Sequence, residues 1–213
     1  MIHIIDKLKM TEYGLVAKGT KQKVHLQQGS MDGACAVYSM MMCLIIIRAI
    51  HRSAIEELND EKINGNTAQG RLIKQFLYNN GFVRKGYYLD KLEEDLQHTY
   101  KKIIDTYYFS IDDEDFLNRI IDELNNNNPV ELGYDYKGKN GHAVVAIGYE
   151  EIKTGYLLYV LDPGYPMPYG QYWNNVIIID TTSIRKYCAY NSVEQLQIQI
   201  NEALVITKKS LKN

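Results

Sequence analysis

With three cysteines, four prolines and a formal charge of only −2 in 213 residues, this chain is poor in the features that mark several protein classes. Cys35, Cys43 and Cys188 are an odd number and lack metal-ligand spacing, which argues against a disulfide framework or a structural metal and fits a reducing compartment. Scarce proline, scattered glycine and the lack of any repeat period exclude a low-complexity or repeat protein. Near-neutral charge with dispersed lysines leaves no electrostatic footprint for nucleic acid. The opening stretch Met1-Ile2-His3-Ile4-Ile5-Asp6-Lys7 holds no apolar core long enough for a secretion signal. The longest apolar run, Ala34 to Ile47, is interrupted by Ser39 and falls short of the roughly 20 residues needed to span a bilayer. The expectations are a cytoplasmic chain (a specialised secretion route being the alternative), with no cofactor, no nucleic-acid partner and no membrane insertion. Phenylalanine is scarce too, four against eighteen tyrosines. That balance favours a partly wet sheet surface or groove, where rings bury and hydroxyls find partners; strand propensity alone is the plainer explanation.

The length suffices for a full core in one domain or two closely packed lobes. Weak alternation at Tyr13 to Ala17 and Lys23 to Leu26 around Lys18-Gly19-Thr20 predicts a short hairpin. From Gly33 to about Arg48 the pattern is apolar on nearly every face, as in a central helix surrounded by other elements. Three amphipathic helices are predicted next: from about Thr67 to Asn80, with Gly81 as a C-terminal cap; from about Asp90, with Leu89, Leu92, Leu96, Tyr100 and Ile103 on one stripe; and from Asp112 on, with Phe116, Leu117, Ile120, Ile121 and Leu124 inside. The acidic run Asp112-Asp113-Glu114-Asp115 is read as helix capping, since it lacks the spaced ligands and turn glycine of a calcium loop. Asn125 to Asn128 before Pro129 reads as a hinge. Beyond it the period becomes two, with strands at Val130 to Tyr136, His142 to Glu151, Tyr156 to Leu161 and Val176 to Ile179, and two late strands on either side of an Asn201-Glu202 turn. The fold class is α+β: a helical half, about 33–124, packed on a mainly antiparallel sheet half, about 129–207, as a single domain over 1–213.

Chemistry concentrates where the halves meet. Cys35 stands at the junction of the polar, Gly-containing stretch Gln27-Gln28-Gly29-Ser30-Met31-Asp32-Gly33 and the apolar helix. Unpaired N–H groups and the positive end of the helix dipole favour thiolate there, so Cys35 is a candidate nucleophile. Cys43, inside the run, is a core thiol. His142 begins a strand, and Asp162 ends the next one across a hairpin centred near Ile152. In that register the two are directly opposed and on one face, so the carboxylate would orient the imidazole as general base and acid, whereas a one-residue slip would separate them. For the tetrahedral oxyanion the donors are the Cys35 N–H and a side-chain amide, Gln28 first and Gln27 as the alternative. Ser30 or Asp32 would cap the helix. Trp173 is either a wall of the site or a packing residue.

The stretch Gln28-Gly29-Ser30-Met31-Asp32-Gly33-Ala34-Cys35-Ala36-Val37-Tyr38-Ser39, with Gly141-His142-Ala143-Val144-Val145-Ala146-Ile147-Gly148-Tyr149 and Leu161-Asp162-Pro163, resembles papain-like cysteine peptidases. It is most similar to the bacterial group that includes double-glycine leader peptidases of bacteriocin exporters. The resemblance implies a papain-like fold, with Cys35 as nucleophile, His142 as base, Asp162 as orienting carboxylate, Gln28 as oxyanion donor, and a peptide or protein as substrate. Two positions depart from the leader peptidases: Ala36 stands where glycine commonly follows the nucleophile, and Gly29 occupies the place of the usual glutamine. Three activities fit these residues: hydrolysis of peptide or isopeptide bonds, acyl transfer or transglutamination by the same triad, and a catalytically silent module that binds a peptide or protein.

Overall fold

The computed structural model describes residues 1–29, 33–56, 63–79, 86–136, 141–182 and 188–210, with the side chains of 77–79 and 188 excepted. The caps expected from Ser30, Asp32 and Gly81 lie outside these residues.

Three short strands come first: β1 (His3–Ile4), β2 (Leu8–Thr11) and β3 (Gly14–Ala17). The predicted hairpin is displaced, since β2 pairs β3 around Glu12-Tyr13, while Lys23 adds only a single bridge to Val16. The central helix α1 (Cys35–Ile46) has every residue buried except the half-buried Tyr38. It follows that α1 packs against strands on one side and the N-terminal hairpin on another. Helices α2 (Ser53–Glu56) and α3 (Ala68–Ile73) come next, the latter capped by Thr67 and running on as a wider turn over Lys74–Asn79. Helix α4 (Leu89–Tyr100) buries Leu89, Leu92, Leu96 and Tyr100 at the spacing of the predicted stripe.

Three expectations fail between the halves. Residues beyond Tyr100 leave the helix for a strand, β4 (Ile104–Ser110), within the stretch assigned to helices, because its alternating residues pair with the last strand rather than continue the stripe. Helix α5 (Phe116–Asn125) begins after Asp115, which adopts φ 59° and makes no side-chain cap; Asp113 instead closes the preceding turn by accepting from the Ser110 N–H at 2.6 Å. The polar linker after α5 is tied down rather than hinge-like. Asn127 Oδ1 accepts from the Asp6 N–H at 2.8 Å, and Asn128 Oδ1 accepts from Lys7 Nζ at 2.8 Å.

The remaining strands are β5 (Val130–Tyr136), β6 (His142–Ile152), β7 (Gly155–Leu161), β8 (Asn175–Asp180), β9 (Cys188–Asn191) and β10 (Leu196–Lys208). All described pairings are antiparallel, and the order β6-β5-β10-β9-β8-β7 closes back on β6, so the sheet is a six-stranded barrel with β1 and β4 attached. The expected Asn201-Glu202 turn is a bulge: β10 stays one strand, with Ile200 facing Tyr134, Glu202 facing Gly133 and Asn201 extra. Helix α1 lies against β5 and β6, and α4 against β4 and β10.

Candidate active site

Cys35 is the first residue of α1. Ala34 at the N-cap has φ −93° and ψ 24° and offers no side-chain cap, so the N–H groups of the first turn find no acceptor within the helix. One turn on, and therefore on the same face, Ser39 is fully buried and donates its hydroxyl to the Ala143 carbonyl at 3.1 Å. That bond fixes the rotation of α1 against the strand carrying His142, and the Cys35 thiol is a hydrogen-bonding partner of the His142 ring.

His142 opens β6 opposite Tyr134, whose ring stands edge-on to the imidazole with centroids 5.6 Å apart. Its Nε2 lies 2.7 Å from Asp162 Oδ1, which leaves Nδ1 for the thiol. Burial by itself would lower the imidazole pKa; the hydrogen bond and charge of Asp162, with those of the Cys35 sulfur, outweigh it and push the ring up to about 10.

The His142–Asp162 contact is made through an unexpected register. Near the turn Ile152 faces Gly155, and continued unchanged this pairing would set His142 and Asp162 on opposite faces. Ile147 is an extra residue between Ala146, which faces Val160, and Gly148, which faces Tyr159. The bulge shifts the register by one, so that Val145 faces Leu161. His142 and Asp162 then share a face, two residues off direct opposition.

Asp162 is fully buried. Its Oδ1 also accepts from the Gly164 N–H at 2.8 Å, and its Oδ2 from Asn175 Nδ2 at 2.9 Å. Its carbonyl accepts from Asn174 Nδ2 at 2.8 Å and from His25 Nε2 at 2.9 Å. His25 is held below the usual imidazole value, chiefly by burial. Gln28 donates its backbone N–H to Pro163 at 2.9 Å, which brings it beside the Asp162 turn. Its Oε1 is buried with no partner among the described residues. Gln27 points to solvent.

These residues meet at a cleft of about 1200 Å³ lined by Gln28, Cys35 and His142. Tyr87, Tyr88, Tyr108, Tyr134 and Tyr136 form much of the wall, so part of the tyrosine excess lines a groove. Trp173 is not among the lining residues; its ring packs on Tyr159 with centroids 4.1 Å apart. Cys43 is buried in α1, and burial pushes its thiol well up. The side chain of Cys188 lies outside the described residues. Among the described residues no group of three or more His, Cys, Asp or Glu is arranged to hold a metal, and no helix is long and apolar enough to cross a membrane. Sequence reasoning missed Ser39, Asn175 and Asn191. Only Ser39 left a signal, a hydroxyl four residues from the thiol in an otherwise apolar run.

A closed antiparallel barrel, with a buried helix that presents a cysteine at its N-terminus to a strand histidine, fits the fold of papain-like cysteine peptidases. The family model described as Peptidase_C39 like family matches residues 17–195, and the chain belongs to that family. The match supports cysteine peptidase activity on peptide or protein substrates. No curated protein matches the chain.

Proposed function

We propose that the chain is a cysteine peptidase in which Cys35 forms an acyl-enzyme, His142 serves as base and then acid, and Asp162 orients the imidazole. The supporting observation is the imidazole held between two partners, a buried carboxylate 2.7 Å from Nε2 and the Cys35 sulfur as a hydrogen-bonding neighbour. With the ring proton favoured up to about pH 10, His142 holds the thiol proton as imidazolium. The sulfur attacks the scissile carbonyl carbon, and the tetrahedral oxyanion is met by the Cys35 N–H and the Gln28 amide. His142 passes its proton to the leaving amine, and a thioester remains. Water, deprotonated by the now neutral imidazole, attacks the thioester; a carboxylic acid departs and the thiol is restored.

Within the family we place the chain beside the double-glycine leader peptidases, on the order Gln28, Cys35, His142, Asp162, and in a cytoplasmic setting, which suits free thiols at Cys35 and Cys43. Trapping with a peptide carrying a thiol-reactive electrophile, followed by mass spectrometry, tests the mechanism. The adduct is expected on Cys35 and is expected to vanish in Cys35→Ala. Product mass then separates hydrolysis, which adds water, from transfer, which adds the acceptor amine. Peptide binding with no adduct at Cys35 would make the chain a silent binding module. Faster cleavage of a peptide with Gly-Gly before the scissile bond than of its Ala-Ala counterpart tests the leader-peptidase placement.

A further inference from the structure

We infer that Asn175 is a positioning residue of this site, locking the Asp162 carboxylate through a buried amide relay that returns to the imidazole; the inference rests on the triad proposed above. A carboxylate gripped at one oxygen can swivel, because its terminal torsion is broad and roughly two-fold. Asp162 Oδ1 serves His142 and Gly164, so the second oxygen decides whether the group stays put, and Oδ2 accepts from Asn175 Nδ2 at 2.9 Å.

The Asn175 amide is itself fully engaged. Its second N–H points to Asn191 Oδ1 at 3.1 Å, and its own Oδ1 accepts from the Val176 N–H at 2.8 Å and the Ser192 hydroxyl at 3.2 Å. Both donors and both lone pairs are used, which fixes the orientation of the amide. Turned over, it would set a carbonyl oxygen against the carboxylate. Asn191, also buried, accepts the Val193 and Glu194 N–H groups at 3.0 and 3.2 Å and donates to the Tyr134 hydroxyl at 2.8 Å. The Tyr134 ring then meets His142 edge-on. The path runs from the end of β7 through β8, β9 and β5 back to β6, around one end of the barrel. Buried amides are costly unless every group is paired, and pairing this complete holds two unlike contacts, carboxylate and ring, against one imidazole.

The test is the pH profile of Cys35 alkylation by iodoacetamide, with sites located by mass spectrometry, in wild type, Asn175→Leu and Asn175→Asp. Leucine removes the donor, and aspartate keeps the shape but turns an acceptor toward Asp162. Expected is rapid wild-type labelling already near pH 6, a loss of roughly tenfold at that pH in both variants, and a rise delayed toward the free-thiol value of about 8.5. Asn191→Ser, which cuts the relay one bond further away, replaces either variant that fails to fold and is expected to shift the profile in the same direction. A wild type reactive at pH 6 with folded variants of unchanged profile overturns the role of Asn175 alone. A wild-type profile that rises only near 8.5 overturns the triad on which the role rests.

Discussion

At the scale of single residues the central quantity is the proton on His142. Burial disfavours the imidazolium, yet the neighbouring Asp162 carboxylate and the Cys35 sulfur more than offset it and carry the ring up to about 10. Hydrolysis needs that proton for the leaving amine, so kcat/KM for any cleaved peptide should fall only as pH rises through about 10. In Asp162→Asn the charge that holds the proton is gone. The alkaline limb should move to lower pH, and the rate at neutrality should drop roughly 10²–10⁴-fold. Gln28→Ala separates the two halves of the chemistry, because an oxyanion donor acts only once the carbonyl has been attacked. It should cost roughly 10²–10³-fold in kcat and leave iodoacetamide labelling of Cys35 unchanged, since alkylation makes no oxyanion. Equal losses in both measurements would remove Gln28 from the oxyanion site and make it a prop of the Cys35 turn.

At the scale of elements the site depends on how α1 and β6 are seated. Ser39→Ala deletes the one described side-chain hydrogen bond from α1 to the strand residue following His142 and leaves the Ala143 carbonyl buried. It should cost about 1–3 kcal/mol in urea unfolding and slow Cys35 alkylation near pH 6; a stability loss with no change in labelling would show that packing alone seats the helix. The elements also set the limits of what sequence reveals. Helix α1 and the strands of the second half were legible because an all-round apolar run and a period of two each have one structural solution. The approach of Cys35, His142 and Asp162 was legible as chemistry, as a Gly-rich helix start and two strands joined by a short loop. Its geometry was not, because Ala143-Val144-Val145-Ala146 is apolar at every position and fits either face of a barrel wall, so nothing in the pattern marks Ile147 as the bulge that brings the imidazole round to the carboxylate. Barrel closure was hidden for a similar reason. It is made by the short β9, which links β8 to β10, and by a β10 interrupted by the bulge at Asn201, pieces whose pairing is decided by distant partners.

At the scale of the whole molecule, one buried group outside the triad adds to how stability follows pH. Glu131 on β5 is fully buried, and neither carboxyl oxygen has a hydrogen-bond partner among the described residues. Burial first, and then the Cys35 sulfur of α1 and Glu202 of β10, raise it well above the ordinary carboxyl value of 4.5, so it folds as the neutral acid. An unfolded chain releases that proton once pH exceeds 4.5, whereas the folded chain retains it. The contribution to stability is therefore complete below 4.5 and erodes above it, by about 1.4 kcal/mol per pH unit until the folded value is reached. His142 has the same sign over a higher window: complete below 6.5 and lost as pH rises toward about 10. His25, held below 6.5, works the other way and adds stability as pH rises toward 6.5, so resistance to urea should decline from about pH 6.5 into the alkaline range. Glu131→Gln keeps the shape and the neutral charge without binding a proton. It should match wild type near pH 4 and exceed it once pH rises above 4.5, while the decline between 6.5 and about 10 persists until His142→Ala removes it. A Glu131→Gln curve parallel to wild type across pH 4–9 would mean that the carboxylate is charged in the folded protein, and a negative charge would then sit beneath the sulfur that must itself become an anion.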